Sequence, residues 1–185
     1  MSSVNYYSSN GVDKLVEQYL PEFGMACDVG ANDGIFFSNS LHFEEKGWIV
    51  LCVEPNPKLR EAGVCRRKLW REVAASDVDG TRELSICGEY PYASNSGFNG
   101  GSDTKAQVQT LRLARILEEA GFHRLDYLTI DVELHEPQVL AGFTLERWKP
   151  TILVVEDQTG TMRPPPGYES LGQHEFDWVF RRVGV

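Results

Sequence analysis

Residues 27–34 read Cys-Asp-Val-Gly-Ala-Asn-Asp-Gly (CDVGANDG). The apolar run Gly24–Val29 leads into them, and Ile35–Lys46 follows with a helical pattern. This is a buried strand that ends in a glycine loop and opens into a helix. Gly30 permits a turn that a Cβ would forbid, and it leaves room for a ligand against the main chain. The glycines are spaced G-x-x-x-G, not G-x-G-x-x-G, so a pyrophosphate-binding fingerprint is absent; no Gly-Lys-Ser/Thr follows either, so there is no P-loop.

The loop also carries Asp28 and Asp33. Carboxylates repel nucleotide phosphates and attract an ammonium or sulfonium group. The charge favours S-adenosylmethionine, which has both cations and no phosphate, over a dinucleotide. Glu54 ends the next apolar run, Trp48–Val53, and is placed to accept hydrogen bonds from ribose hydroxyls. Ala75-Ser76-Asp77 follows as a candidate adenine edge. Taken singly, Asp28 also suits a loop cap and Glu54 a helix N-cap acid.

Three more apolar segments, Glu72–Ser76, Tyr127–Val132 and Thr151–Glu156, alternate with helical patterns at Val12–Leu20, Pro57–Leu69, Leu111–Ala120 and Pro137–Ala141. Continuous apolar strands separated by helices predict a parallel sheet covered on both faces. Glu175–Arg182 suits a final edge strand, and Arg82–Cys87 a further strand. Gly88–Gln107 is long, polar and glycine-rich, and is expected to be a lid loop. Asp157–Gly167, with three successive prolines, cannot be helical throughout. Residues 1–23 form an N-terminal helical segment, whose stretch Tyr6–Asn10 is a candidate cover for the cofactor.

The chain has 185 residues, 42% of them hydrophobic and 24% charged, as expected of one globular domain. Its net charge of −9 argues against nucleic acid as a partner. The cluster Arg66, Arg67, Lys68 and Arg71 reads as a solvated helix face. Cys27, Cys52, Cys65 and Cys87 show no zinc spacing, and Cys27 and Cys52 read as buried free thiols. There is no apolar run long enough for a membrane span and no export signal near Met1, so a cytoplasmic protein is expected. Nothing in the sequence specifies an oligomeric state.

Beyond these features, CDVGANDG (27–34), GWIVLCVEPNP (47–57), VAASD (73–77), LDYLTIDVELHEPQVL (125–140) and WKPTILVVE (148–156) resemble the FkbM family of S-adenosylmethionine-dependent methyltransferases. The resemblance spans about residues 10–157. It implies a Rossmann-like class I methyltransferase fold: an α/β domain, mostly parallel sheet with helices on both faces, here with an abbreviated C-terminal region. It also implies O-methylation of a hydroxyl on a sugar or natural-product-like small molecule. Asp28, Gly30, Ala31, Asn32 and Gly34 would line the methionine end of the cofactor. Glu54 and Pro55 would hold the ribose, Ala75 and Ser76 would border adenine, and Asp131 would face the amino group or the methyl-transfer site. The family usually has glycine where Leu134 stands, so leucine is expected to narrow the site or change the turn.

A hydroxyl acceptor needs a base or a metal to remove its proton. Asp131, Glu133 and His135 are the catalytic candidates, with Glu136 beside them. Asp131, Glu156 and Asp157 are candidate ligands for Mg²⁺, by analogy with metal-dependent enzymes of this fold. His135 also suits a solvated helix start. Two rival functions are an NAD(P)-type oxidoreductase or epimerase on the same fold, and a catalytically silent cofactor-binding module.

Overall fold

The computed structural model describes residues 5–87, 96–98 and 104–184. The main sheet has seven strands: β1 (Met25–Val29), β2 (Ile49–Val53), β3 (Leu69–Arg71), β7 (Tyr127–Ile130), β8 (Ile152–Glu156), β9 (Tyr168–His174) and β10 (Asp177–Arg182). Their order is β3-β2-β1-β7-β8-β10-β9. Strand β10 runs antiparallel to β8 and β9, and the other pairings are parallel. The chain winds outward from β1 to β3 and returns at β7, so the order reverses between β1 and β7. Ligands in such sheets bind beyond the carboxyl ends of the strands at that reversal.

Alternation along the strands explains the continuous apolar runs. Cys27, Val29, Leu51, Val53, Leu128, Ile130, Leu153 and Val155 face one core, beneath α4 (Leu113–Glu119), α5 (Glu136–Ala141) and α6 (Leu145–Trp148). Ala26, Val50, Cys52, Tyr127, Ile152 and Val154 face the other, with Val12 and Val16 of α1 (Val12–Glu17) and Phe43 of α2 (Leu41–Glu45). Both faces are covered, so nearly every position along the central strands is apolar, Asp28 and Thr129 being the exceptions.

Several boundaries differ from expectation. The third strand of the sheet is Leu69–Arg71, not Glu72–Ser76. Ala74–Ser76 is β4 of a separate sheet, ordered β4-β6-β5, with β5 (Gly80–Ser85) and β6 (Lys105–Arg112). Strand β6 takes up the end of the expected lid and the start of the expected fourth helix. Its Val108 and Thr110 are buried while Gln107 and Gln109 are exposed, a period of two that breaks the helical pattern. The helix expected from Pro57 is α3 (Arg60–Arg66).

The helix expected at Ile35–Lys46 is confined to α2. Asp33 accepts hydrogen bonds from the N–H groups of Ile35 and Phe36 at 2.9 and 2.7 Å, and Phe37 has a left-handed φ of +57°, so the backbone turns before it becomes helical. Strand β10 is interior, and β9 is the edge. The abbreviation at the C-terminal side therefore falls on the connection: residues 157–167 hold no helix, while both closing strands are present. No helix among the described residues is long and apolar enough to cross a membrane.

Candidate active site

A cavity of about 950 Å³, counted with its open side, lies over the carboxyl ends of β1, β2 and β7. Its floor is the glycine loop. The Gly30 and Ala31 N–H groups donate to the Val53 carbonyl at 2.9 and 3.2 Å, and the Asp131 N–H donates to the Val29 carbonyl at 2.9 Å. Gly30 has a φ of +87°. Asn32 also adopts a left-handed φ, +50°, and its buried Oδ1 has no partner among the described residues.

Asp28, Gly30, Ala31, Asn32, Glu54, Pro55, Ala75, Asp131, Glu133 and His135 all line this cavity. Glu54 is anchored by backbone. Its Oε2 accepts from the Asn32 N–H at 3.1 Å and its Oε1 from the Asn56 N–H at 2.9 Å. Burial pushes its pKa up to about 7, against these hydrogen bonds. Asp28 accepts from the hydroxyls of Ser38 and Ser40; burial raises its pKa, and nearby Arg67 offsets part of that rise.

Several expected site residues do not line the cavity. Gly34 packs behind the loop, where its carbonyl accepts from Arg67 Nη1 at 2.9 Å. Asp33, also expected to attract cofactor charge, instead pairs with Arg66 at 2.8 Å. Ser76 is fully buried beneath His135 and does not line the cavity, whereas Val73, Ala74, Ala75 and Leu84 do. Glu156 and Asp157 lie outside the cavity lining as well.

Arg67 also corrects the expectation of a solvated basic face. Its side chain is 0% exposed. It pairs with Glu44 at 2.6 Å and donates to Ser38 and Ser40 at 3.2 and 2.9 Å. It thereby orients the two hydroxyls that hold Asp28.

The expected metal set assembles only in part. Asp157 folds onto its own loop, accepting from the N–H groups of Thr159 and Met162 at 2.9 and 2.6 Å. Glu136 converges instead with Asp131 and Glu156, one carboxylate oxygen of each lying within 4.8 Å of the others. Glu136 Oε1 accepts the Val132 N–H at 2.9 Å. Asp131 is exposed and lines the cavity. Desolvation by the surrounding protein and the adjacent Glu156 push its pKa well above the carboxylate range. Of the expected Mg²⁺ ligands, Asp131 and Glu156 are brought together and Asp157 is not.

The mouth has parts that sequence did not announce. Phe36 and Phe37 pack ring to ring with centroids 3.9 Å apart, and Phe37 is 56% exposed at the rim. Of the expected lid, Ser96–Phe98 forms a cavity wall, with Gly97 bridged to Ser85; residues 88–95 and 99–103 lie outside the described residues. Tyr6 stacks on His42 and Asn10 bonds Asp177, so the N-terminal stretch does not cover the cavity.

Leu134 does not line the cavity and so does not narrow it. Glu133 and Leu134 keep left-handed φ values of +55° and +70°, and the leucine side chain points away from the cavity, 49% exposed. The conformation that favours glycine is retained with leucine in it.

The strand order and the acid-lined cavity at its reversal define a Rossmann-like methyltransferase fold. The fold is shared with a crystal structure of the methyltransferase FkbM from Methylobacillus flagellatus KT, at a TM-score of 0.55 and 15% identity over 86% of this chain and 44% of that one. Residues 28–173 match the methyltransferase FkbM domain, and the chain belongs to the FkbM methyltransferase family. It is 30% identical over 173 residues to the 31-O-demethyl-FK506 methyltransferase FkbM of Streptomyces tacrolimicus, over 73% of this chain and 66% of that protein. The chain thus spans just under two thirds of that curated relative and under half of the crystallised one.

Proposed function

We propose that the chain binds S-adenosylmethionine and transfers its methyl group to a hydroxyl of a small acceptor, a sugar or a natural-product-like molecule. One observation carries the reading. Asp28, Glu54, Asp131 and Glu133 line the cavity, and among the described residues no lysine or arginine does. Such a wall opposes a pyrophosphate and suits a cation.

The fit extends to neutral groups. Gly30 leaves the main chain open to close approach, Asn32 offers an unpaired buried oxygen, and Glu54 presents both carboxylate oxygens to a ribose. When bound, S-adenosylmethionine supplies a sulfonium-activated methyl group. The protein's part is then to align the acceptor and to remove its proton. The Streptomyces relative's name describes methylation at oxygen, which supports a hydroxyl acceptor. Asp131, Glu133 and His135 line the same cavity and are the candidates for removing that proton.

Calorimetry on the purified chain tests the assignment against its rivals. Binding of S-adenosylhomocysteine without binding of NAD(P) is expected, and the reverse would overturn the proposal. Methyl transfer from labelled donor to members of a panel of hydroxylated sugars and macrolides separates an enzyme from a silent binding module.

A further inference from the structure

We propose that Ser76 and Asp77 are positioning residues that hold His135 in its Nε2–H tautomer, presenting Nδ1 to the cavity as the acceptor of the substrate hydroxyl's proton. The inference rests on the methyl-transfer reading above.

The geometry fixes the protons in turn. His135 caps the start of α5, and its Nε2 lies 3.1 Å from Ser76 Oγ. Ser76 Oγ lies 3.0 Å from Asp77 Oδ1. An ionised carboxylate only accepts, so the single Ser76 hydroxyl proton points to Asp77. Ser76 Oγ can then only accept from His135, which places the ring proton on Nε2. A neutral imidazole has one N–H, so Nδ1 is left with its lone pair. No hydrogen-bond partner of Nδ1 occurs among the described residues, and His135 lines the cavity.

The surroundings favour the neutral ring. Phe98 packs edge-on against it with centroids 4.8 Å apart, and the Arg82 guanidinium lies over the far Phe98 ring at 4.2 Å. Asp77 stands behind Ser76, and Glu133 precedes the ring on its own turn. Burial, then Arg82, lowers the His135 pKa, and Asp77 only partly opposes them. Glu133 is less suited to the same task. Burial and the neighbouring Glu156 raise its pKa to about 7, so near neutrality it already holds a proton about half the time.

In the transfer, the acceptor oxygen forms its bond to the methyl carbon and the carbon–sulfur electron pair stays on sulfur. The hydroxyl proton passes to Nδ1. The resulting imidazolium keeps its Nε2–H bond to Ser76, with Asp77 at the far end, and releases the Nδ1 proton to water as product leaves. The Ser76–Asp77 pair touches neither cofactor nor acceptor and acts through His135.

Imidazole ¹⁵N–¹H correlation NMR on the full chain, without ligand, reads the tautomer directly. In the wild type, His135 is expected to show a pyridine-like Nδ1 and a pyrrole-like Nε2. Ser76→Ala should mix the two tautomers and leave S-adenosylhomocysteine affinity within about twofold, since Ser76 does not line the cavity. With an acceptor found by the panel, Ser76→Ala should slow turnover about tenfold through loss of one orienting hydrogen bond. His135→Gln should remove the acid limb of the pH–rate profile. A wild-type Nδ1–H tautomer, or a Ser76→Ala spectrum identical to wild type at His135, would overturn the proposal even in an active enzyme. An Nε2–H tautomer in a protein that binds no S-adenosylhomocysteine would instead overturn the methyl-transfer reading, and with it the catalytic role of the relay.

Discussion

A Cβ built on Gly30 would lie 1.6 Å from the backbone oxygen of Asp131. The first strand's loop and the end of β7 thus touch main chain to main chain, at the point where the strand order reverses. That contact narrows the gap between the glycine floor and the acidic wall to the thickness of a backbone.

Gly30→Ala is therefore expected to separate these two segments. A left-handed φ of +87° adds strain to the clash. Gly121 is a matched control: its φ is +78°, and nothing lies within 4 Å of its missing Cβ. Gly121→Ala should lower stability by only about 1 kcal/mol. Gly30→Ala should lower the melting temperature much further and abolish S-adenosylhomocysteine binding by calorimetry. Equal effects of the two substitutions would refute the role given to the close approach.

Arg67 tests the support behind Asp28. Replacing it by Met leaves Glu44 buried without its ion pair and removes the guanidinium's hydrogen bonds to Ser38 and Ser40. Breaking a buried pair on one side costs about 3–5 kcal/mol, so urea unfolding should show a loss of that size. Arg67→Lys should recover only part of it, because an ammonium cannot span four acceptors as the planar guanidinium does. Full recovery with lysine would mean that charge alone matters there.

What was legible in the sequence follows burial. Strands β1, β2, β7 and β8 are covered on both faces, and their largely apolar runs announce them. Strand β3 is three residues long and none of them is fully buried, so Leu69–Arg71 gave no such signal. The cavity residues on the glycine loop and after β2 and β7 were legible because turn chemistry and acids at strand ends are local features. The supports were not. Arg67 meets Glu44 and Ser40 across 23 and 27 positions, and His135 meets Ser76 across 59. A basic cluster or an Ala-Ser step carries no mark of the partner that the fold will bring.

Leu134 offers a test in the direction of stabilisation. A left-handed φ costs a branched residue roughly 1–2 kcal/mol, while glycine gives back about 0.5–1 kcal/mol through greater freedom of the unfolded chain. The side chain is half exposed, so little burial is lost. Leu134→Gly is expected to be neutral or to stabilise by up to about 1 kcal/mol, with S-adenosylhomocysteine affinity unchanged. A fall in melting temperature of more than about 4 °C would show that the leucine makes a compensating contact.

The acid wall should also set the pH dependence. Glu54 and Glu133 titrate at about 7 in the folded chain, against an ordinary 4.5, chiefly because burial disfavours their charged forms. Burial raises Asp28 and Asp131 in the same direction. For an acid whose folded pKa is raised, the folded state holds more protons than the unfolded state between the two values. Its contribution is fully present below about 4.5 and is lost as pH rises through about 7. His135, whose pKa is lowered, works the other way but is a single group. Glu17, lowered to about 2, changes its contribution below this window. Without ligand, the melting temperature should therefore fall from about pH 5 to about pH 7.5, and Glu54→Gln should flatten part of that slope. A bound cation favours the ionised carboxylates, so S-adenosylhomocysteine, through its ammonium, should bind more tightly across the same interval and release protons as it binds. Calorimetry in buffers of different ionisation enthalpy reads that release. Proton uptake instead would mean that the wall stays neutral in the complex, and that charge does not select the cofactor.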